Sequence, residues 1–581
     1  MTDQSGDDIT APDRSADISQ PIETLDPNER LKAGSNYLRG TIASGLTDPV
    51  TGSVVDDDTK LMKFHGVYQQ DDRDLRDERR KQKLEPAYQF MIRVRLAGGV
   101  CTPDQWLKLA GLAQKYGGSS LRMTTRQTFQ FHGILKSNLK TTMQGINDAL
   151  LDTIAACGDD TRGIMSSVNP HLSALHREVY ELAALTSDHV IPKTRAYHEI
   201  WLDGEKRISS EPEEPLYGKT YLPRKFKYGF AIPPVNDIDV FTQDVGLIAI
   251  ASGETLHGFN VTVGGGMGRT DRAPATYPRL GDVIGYIPKE RVIEFADAVL
   301  TIQRDYGNRK DRARARFKYT IDDKGLDWFK AELDRRQGFA LEEARPFSFE
   351  TNGDEYGWAR GSDGLWHYTL FIENGRVRDF TQRKLMTGLC EIAHIHKGEL
   401  RLTPNQNLVI AKVAEADRAH IEEVLAAHHL GDTMERSALH LNSMACVAFP
   451  TCGLAMAESE RYLPSLLDKI DGILESHGLS DFPITTRMTG CPNGCARPYV
   501  AELAFTGRAP GKYNMYLGGG VYGQRLNRLY LENIGEERIL SELETIIGRF
   551  AREKLEDERF GDFVLRAGIV REVTSGKDFN S

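Results

Sequence analysis

Two segments of this chain share one pattern of residues, and that repeat constrains the fold more than any other feature. Residues 121–134 read LRMTTRQTFQFHGI, and residues 400–413 read LRLTPNQNLVIAKV. In both copies an Arg-x-Thr element opens a strand-like run. Stretches with helical apolar spacing stand before it (106–116 and 384–396) and after it (139–151 and 414–428). The repeat therefore predicts a duplicated α+β unit of strand, helix, strand and helix.

The duplication also predicts how the rest of the chain is divided. Two like halves that pack about a pseudo-twofold axis leave a cleft between them suited to a large cofactor. A length of 581 residues requires several domains, at about 150 residues each. We predict a disordered acidic tail over 1–28, an extended N-terminal segment over 29–90, the duplicated ferredoxin-like unit over 91–154 and 356–432, and two further domains over 155–355 and 433–581.

The composition and net charge of the sequence argue against a membrane protein, a secreted protein and a general nucleic-acid-binding protein. The chain has no apolar run of about 18 residues, which a membrane span requires, and its N-terminus lacks the regions of a secretory signal. Seven cysteines, four of them within 446–495, indicate a reducing compartment and a metal or redox site. The net charge of −10 argues against general nucleic-acid binding. We therefore expect a cytoplasmic protein with neither a membrane nor a nucleic acid as partner.

Four of the cysteines form two pairs, Cys446 with Cys452 and Cys491 with Cys495. Four thiolates in two pairs bind either zinc or an iron–sulfur cluster. Neither pair has the two-residue gap of a zinc knuckle, and wider gaps suit a 4Fe–4S cubane better than one tetrahedral ion. The Pro-Asn-Gly turn between Cys491 and Cys495 also allows backbone N–H groups to face a cluster. Zinc and unliganded core cysteines remain as alternatives.

A polar face accompanies the repeated strand. If 121–134 is one strand, its period of two separates the polar side chains from an apolar set that faces the core. The polar side chains are Arg122, Thr124, Arg126, Thr128, Gln130 and His132, and in the second copy Arg401, Thr403, Asn405 and Asn407. Further basic runs contain Arg93 and Arg95, Lys225 and Lys227, and Asn308 to Lys318. Taken alone, each of these basic runs is equally well explained as the solvent-facing side of a strand. Their recurrence in an acidic chain predicts a ligand with many carboxylates or a small oxyanion.

Together these features resemble the sulfite/nitrite reductase family. The resemblance rests on both cysteine pairs, on TGCPNGC around Cys491, on the duplicated Arg-x-Thr strands, and on FHGVYQQDDRD from Phe64 and YLPRKFK from Tyr221. It is closest to the NADPH-dependent assimilatory sulfite reductase branch. It implies an α+β fold of three domains, in which 155–355 is a first sirohaem- and substrate-binding domain and 433–581 a second that also binds a 4Fe–4S cluster. It also implies an oxidoreductase that reduces sulfite to sulfide with six electrons, in sulfate assimilation and cysteine biosynthesis.

The resemblance also assigns roles to individual residues. The cluster ligands would be Cys446, Cys452, Cys491 and Cys495, and Cys495 would also join the cluster to the sirohaem iron. The substrate anion would be bound by Arg93, Arg162, Lys225 and Lys227. The sirohaem carboxylates would be held by Arg122, Arg126, Gln130, His132, Asn308 and Arg309. The two lysines are the better proton donors, because an arginine does not readily release its proton.

The sequence departs from the family pattern at Thr125, where an Asn is expected, and at Ala496, where a Gly is common. The nearest rival is a ferredoxin-type nitrite reductase, which typically has Asn at the position of Lys227. A zinc-stabilised binding protein is the rival from another class. No flavin or NADPH motif is visible, so the resemblance implies a separate electron donor. This would be a flavoprotein (alpha) subunit that carries FAD and FMN and takes electrons from NADPH, with a ferredoxin as the alternative.

Overall fold

The computed structural model describes residues 21–169, 171–193, 201–202, 205–206 and 214–580. The helices are α1 (Pro27–Gly34), α2 (Ile42–Thr47), α3 (Asp56–Leu61), α4 (Arg76–Lys81), α5 (Pro103–Tyr116), α6 (Lys136–Asp148), α7 (Ala174–His189), α8 (Val292–Tyr306), α9 (Phe317–Lys324), α10 (Leu326–Gln337), α11 (Leu385–Ile395), α12 (Glu415–Ala427), α13 (Ala438–Leu441), α14 (Leu463–Ser476), α15 (Glu536–Glu553) and α16 (Phe560–Arg566). The strands are β1 (Val67–Asp71), β2 (Tyr88–Arg93), β3 (Val100–Cys101), β4 (Leu121–Met123), β5 (Phe129–Ile134), β6 (Met165–Ser166), β7 (Trp201–Leu202), β8 (Glu205–Lys206), β9 (Tyr228–Ala231), β10 (Val245–Ser252), β11 (Thr255–Val263), β12 (Asp282–Pro288), β13 (Gly357–Arg360), β14 (Trp366–Leu370), β15 (Arg376–Val377), β16 (Glu399–Leu402), β17 (Leu408–Val413), β18 (Ser443–Ala445), β19 (Thr486–Thr489), β20 (Leu503–Ala509), β21 (Lys512–Leu517) and β22 (Arg528–Ile534).

The four helical stretches predicted around the repeat are confirmed as α5, α6, α11 and α12. The predicted acidic tail needs a correction at its end, and its residues 1–20 lie outside the described residues. Helix α1 begins at Pro27 rather than after residue 28. The reason is a local cap: the Asp26 carboxylate accepts from the Asn28 N–H at 2.9 Å, and proline at the first helical position is preset for the helix.

The repeated segment is a hairpin in each copy, not the single strand that its alternation predicts. In the first copy β4 and β5 pair antiparallel, with Arg122 opposite Gln130. Gln127 has a φ of 54°, a left-handed conformation that ends the strand, and the Thr124 hydroxyl accepts from the Thr128 N–H at 3.3 Å within the turn. Since directly opposed residues of an antiparallel pair share a face, Arg122 and Gln130 still point to the same side.

The second copy has the same turn. Gln406 has a φ of 72°, and the Thr403 hydroxyl accepts from the Asn407 N–H at 3.0 Å between β16 and β17. The two copies also exchange short strands, because β15 of the second copy pairs with β4 of the first, and β3 of the first pairs with β16 of the second. The sheets that result are β1-β2-β5-β4-β15 and β13-β14-β17-β16-β3. This reciprocal exchange is what pseudo-twofold symmetry produces, so the duplicated α+β fold is confirmed.

The two other five-stranded sheets also share one topology. In one, β6, β9 and β10 run parallel and antiparallel strands β11 and β12 continue the sheet. In the other, β18, β19 and β20 run parallel, followed by antiparallel β21 and β22. The correspondence between the halves therefore extends beyond the repeat visible in the sequence.

One large hydrophobic core joins the first three of these sheets and includes Trp106, Phe129, Phe230 and Leu408, all 0% exposed. A second core lies between the C-terminal sheet and α14 to α16. Among the helices of the described ranges, none is long and apolar enough to cross a bilayer.

Candidate redox and anion-binding site

Two parallel strands bring the cysteine loops together. Strand β18 ends at Ala445 and β19 at Thr489, and Cys446 and Cys491 follow within two residues. Neighbouring parallel strands end at the same edge of a sheet, which is where ligand sites of such sheets lie. The Gly490 N–H donates to the Cys446 sulfur at 3.3 Å and so connects the two loops.

The four thiols act on one another electrostatically. Burial raises the pKa of Cys446 to about 12, and the thiols of Cys495 and Cys452 add to the rise. Burial, followed by the Cys495 thiol, also raises the pKa of Cys452 and of Cys491. Within the described residues no three His, Cys, Asp or Glu side chains surround a single metal ion, so the thiols form a wider set. Cys491 is buried and Cys495 is exposed, so this set reaches the protein surface at Cys495.

The loop from Cys491 to Cys495 is supported from two sides. The hydroxyl of Thr125, in the turn of the first repeat, donates to the Cys495 carbonyl at 2.9 Å. On the other side a glycine-rich loop after β11 lies so close that a Cβ at Gly268 would come within 3.2 Å of the Asn493 carbonyl oxygen. The loop is therefore fixed by both halves of the molecule.

Arg93 and Arg162 share one acceptor. Each donates from Nη1 to the carbonyl oxygen of Ala156, at 3.2 Å and 3.3 Å. Arg93 also donates to the Cys157 sulfur at 2.9 Å and, from Nη2, to the amide oxygen of Gln130 at 2.6 Å. A single carbonyl thus sets the spacing of two cations that are far apart in the sequence.

Lys225 and Lys227 lie in irregular backbone just before β9 and are partly buried. Neither ammonium has a carboxylate or hydrogen-bond partner among the described residues. Burial lowers the pKa of both lysines well below the usual value. Arg316 and Arg162 lower that of Lys225 further, while the Cys495 thiol opposes the change. Lys225 therefore lies within electrostatic range of these two arginines and of the Cys495 thiol.

Several buried polar atoms on this face have no hydrogen-bond partner among the described residues. Arg126 donates to the Gly163 carbonyl at 2.7 Å, but its Nε has no such partner, and the same is true of Nε of Arg316 and Nε2 of His132. Burial and the neighbouring Arg162 lower the pKa of Arg126 to about 9. Crowded cations and orphaned polar atoms beside four thiols fit a large polyanionic cofactor next to an iron–sulfur cluster.

Arg122 reaches the same region, but its charge is paired. It is 3% exposed, and it donates to the Glu460 carboxylate and to the Ala445 carbonyl, both at 2.7 Å. Glu460 also accepts from Arg376 at 2.6 Å. Arg122 therefore lies next to the cysteine loops. Its positive charge is balanced by the Glu460 carboxylate, whereas Arg126 has no ion pair with a carboxylate among the described residues.

The structure does not bring Asn308 and Arg309 to the cations, and we correct their predicted role. Arg309 is 2% exposed and donates to Glu29 at 2.5 Å and to the Tyr221 carbonyl at 2.6 Å. The Asn308 side chain accepts from the backbone N–H groups of residues 310 and 311 at 2.9 Å and 2.8 Å. Arg309 therefore anchors α1, which contains Glu29, and Asn308 caps a turn.

Sequence reasoning missed Arg497, which lies between the two repeats. It donates to the carbonyls of Thr125 at 2.8 Å and Pro404 at 3.2 Å, which are corresponding positions in the two turns. Its Nε donates to the buried Asp239 at 2.5 Å. The only available signal was its position two residues after Cys495.

Comparison with protein families gives two matches. The nitrite and sulphite reductase 4Fe-4S domain matches residues 181–341, and the nitrite/sulfite reductase ferredoxin-like half domain matches residues 81–149 and again 359–428. The second match occurs once for each copy of the repeat. The first match ends before the cysteines.

Several proteins are similar over nearly the whole chain. The sulfite reductase (NADPH) hemoprotein beta-component of Methylocella silvestris is 62% identical over 573 residues, 98% of this chain and 99% of the relative. The protein of the same name from Bordetella petrii is 64% identical over 567 residues, 97% of each chain. Among solved structures, the NirA protein of Mycobacterium tuberculosis has a TM-score of 0.75 at 25% identity, and the alignment covers 93% of this chain and 96% of that one.

Proposed function

Since the chain belongs to the nitrite and sulphite reductase family, we propose that it is the haemoprotein component of an assimilatory sulfite reductase and reduces sulfite to sulfide. The observation that carries this proposal is the pair of cations Arg93 and Arg162, which both donate to the Ala156 carbonyl. Arg162 and the Cys495 thiol both act on the pKa of the neighbouring Lys225, which supports an oxyanion site next to an electron-transfer site. A group of lysines and arginines, in which the two lysines have no carboxylate partner among the described residues, suits a small, highly charged oxyanion better than a large neutral substrate.

The residues present fit both cofactors of the family. Cys446, Cys452, Cys491 and Cys495 would hold a 4Fe–4S cluster, and Cys495 would also ligate the sirohaem iron. The sirohaem carboxylates would be held by Arg122, Arg126, Gln130 and His132. When bound, these groups would supply a redox-active iron for the reduction of sulfite and would pass on the electrons that another protein provides.

The side chains of the chain bind and protonate the anion. Arg93 and Arg162, spaced by the Ala156 carbonyl, would orient two oxyanion oxygens and offset their charge. Lys225 and Lys227 would donate protons as oxygen leaves as water. Burial lowers the pKa of both lysines, which makes their protons easier to release than those of ordinary lysines or of arginines.

The electrons must come from another protein. We propose a flavoprotein (alpha) subunit that carries FAD and FMN and oxidises NADPH, because the related proteins are named as beta-components and this sequence has no flavin or NADPH motif. We also propose a cytoplasmic location. Its support is the unpaired state of all seven cysteines, which a reducing compartment preserves.

The direct test uses the purified holoprotein with reduced methyl viologen as electron donor, so that no partner subunit is needed. We expect sulfide to form from sulfite with about six electrons consumed per sulfide. Oxidation of the viologen without sulfide would overturn the proposal. Nitrite is assayed in parallel, and a kcat/KM for nitrite well above that for sulfite would favour the nitrite reductase alternative.

A further inference from the structure

Asp160 is a buried carboxyl group with unusual surroundings. It is 0% exposed, and neither of its side-chain oxygens has a hydrogen-bond partner within the part of the chain that the structure describes. Among the described residues its ion-pair contact is with Arg162, whose Nε lies 3.8 Å from Oδ1. The adjacent Asp159 is different, because it accepts from Arg312 at 2.8 Å and 3.0 Å. A buried carboxyl without partners is costly, so packing alone does not explain Asp160.

The surroundings of Asp160 favour its neutral form. The charged and titratable groups that face it are Arg162, Arg95, Asp159, Lys32 and Tyr217. Burial is the largest influence and raises the pKa of Asp160 to about 8, while Arg162 is the strongest opposing charge. The backbone at Gly158 is close to this carboxyl and to an aromatic ring, since a Cβ at Gly158 would lie 2.9 Å from Asp160 Oδ2 and 2.8 Å from the Phe64 ring. A buried carboxyl that accepts no hydrogen bond from the described residues therefore favours its protonated form.

Arg162 connects this carboxyl to the anion site. Its Nε and Nη2 donate to the Gly158 carbonyl at 3.3 Å and 2.9 Å, and its Nη1 donates to the Ala156 carbonyl that Arg93 also uses. A negative charge on Asp160 would attract the same guanidinium that a bound oxyanion attracts. Two anions that compete for one cation disfavour each other, so ionised Asp160 weakens anion binding and a bound anion favours protonated Asp160.

We propose that Asp160 is a positioning residue of the anion site: it takes up a proton when an oxyanion binds at Arg162, and its ionisation lowers the affinity for that anion. The inference rests on the proposed role of Arg162 in anion binding. Arg95, one of the charged groups around Asp160, lines a cavity of about 380 Å³ together with Asp188 and Lys193. Arg95 also donates to the carbonyl of Thr161, next to Asp160, at 2.9 Å.

The test measures anion binding to the oxidised holoprotein, with nitrite as the probe because nitrite carries no proton between about pH 6 and about pH 9. Titration calorimetry in two buffers of different ionisation enthalpy gives the affinity and the number of protons taken up. The variant is Asp160→Asn, with Asp160→Leu, which removes the carboxyl group and keeps a side chain of similar length, as a second variant. The matched control is Asp188→Asn, an exposed carboxylate near Arg95.

In the wild-type protein we expect the nitrite affinity to fall by at least about fivefold from pH 7 to pH 9, with proton uptake on binding. Because burial also lowers the pKa of Lys225 and Lys227, the pH dependence of the wild type alone does not decide the test, and the difference between the wild type and the Asp160 variants does. Asp160→Asn should bind nitrite with a smaller pH slope and less proton uptake, and Asp188→Asn should behave as wild type. An unchanged slope and uptake in both Asp160 variants would overturn the inference. Arg162→Gln tests the underlying site separately, since unchanged nitrite affinity in that variant would overturn the proposed anion site itself.

Discussion

The hydroxyl of Thr125 donates a 2.9 Å hydrogen bond to the backbone carbonyl of Cys495. The turn of the first repeat therefore supports the cysteine loop directly. Thr125→Val keeps the shape of the side chain but leaves this carbonyl without its donor, which costs about 1 kcal/mol or more. We expect a lower free energy of unfolding in urea and faster release of iron to a chelator. Thr141→Val, at an exposed position of α6, is the control, and equal behaviour of the two variants would contradict the role of Thr125.

Lys225 is the side chain on which the proposed proton supply depends most. Lys225→Met keeps much of the apolar stem and removes the charged donor, so sulfide formation should fall by about 10²- to 10⁴-fold at saturating sulfite. The absorption spectrum should be retained. Lys310→Met removes an exposed lysine and should leave the rate unchanged. A Lys225→Met protein with the wild-type rate would show that another group supplies the protons.

The buried pair of Arg309 and Glu29 should stabilise the fold rather than hold a cofactor. The side chains are 1% and 2% exposed, and Glu29 also accepts from the buried Lys32 at 2.6 Å. Glu29→Gln removes the carboxylate partner of both cations and should lower the free energy of unfolding by about 3–5 kcal/mol. Arg309→Met leaves Glu29 paired with Lys32 and should lower it by less. A double-mutant cycle should show that the two losses are not additive. A variant that remained fully stable but lost its haem would instead restore Arg309 as a sirohaem residue.

Asp237 should make stability depend on pH. Burial raises the pKa of this carboxyl to about 7, above its value of about 3.9 in an unfolded chain. The folded state therefore binds more protons than the unfolded state between these values. The stabilisation is complete below about pH 4 and is lost as the pH rises through about 7.

The measurement for Asp237 compares urea midpoints of the wild type and Asp237→Asn from about pH 5 to about pH 7.5. The variant loses part of the hydrogen bonding to Ser167 and Val168, both at 2.9 Å in the wild type, so it should be less stable at low pH. Its disadvantage should shrink as the pH rises. A constant difference would show that Asp237 does not titrate in this window.

Local patterns in the sequence predicted the features that depend on nearby residues. The helices around the repeat, the duplicated fold and the grouping of four cysteines follow from apolar periodicity and spacing, which act over short stretches. The hairpin was missed because the alternation of Arg122, Thr124 and Arg126 continues through a turn. Only the left-handed conformation at Gln127 reveals that the strand has ended.

The partners of charged side chains could not be predicted from spacing. Arg309 lies in a basic run that suggests a ligand, but its carboxylate partner, Glu29, is 280 positions away in the sequence. The opposite holds for Asp160, which resembles its neighbour Asp159 in the sequence and has none of its hydrogen bonds in the fold. Tertiary packing decides which charges find a partner, and spacing in the sequence does not show it.

The most direct test of the account is an anaerobic absorption spectrum of the purified protein, with iron and acid-labile sulfide analysis, compared with Cys495→Ser. We predict an intense Soret band with about five irons and about four labile sulfides per chain, the content of one sirohaem and one 4Fe–4S cluster. The Cys495→Ser protein should lose or shift the band and lose cluster iron, because Cys495 would ligate both groups. A colourless wild-type protein that contains zinc and no labile sulfide would contradict the account.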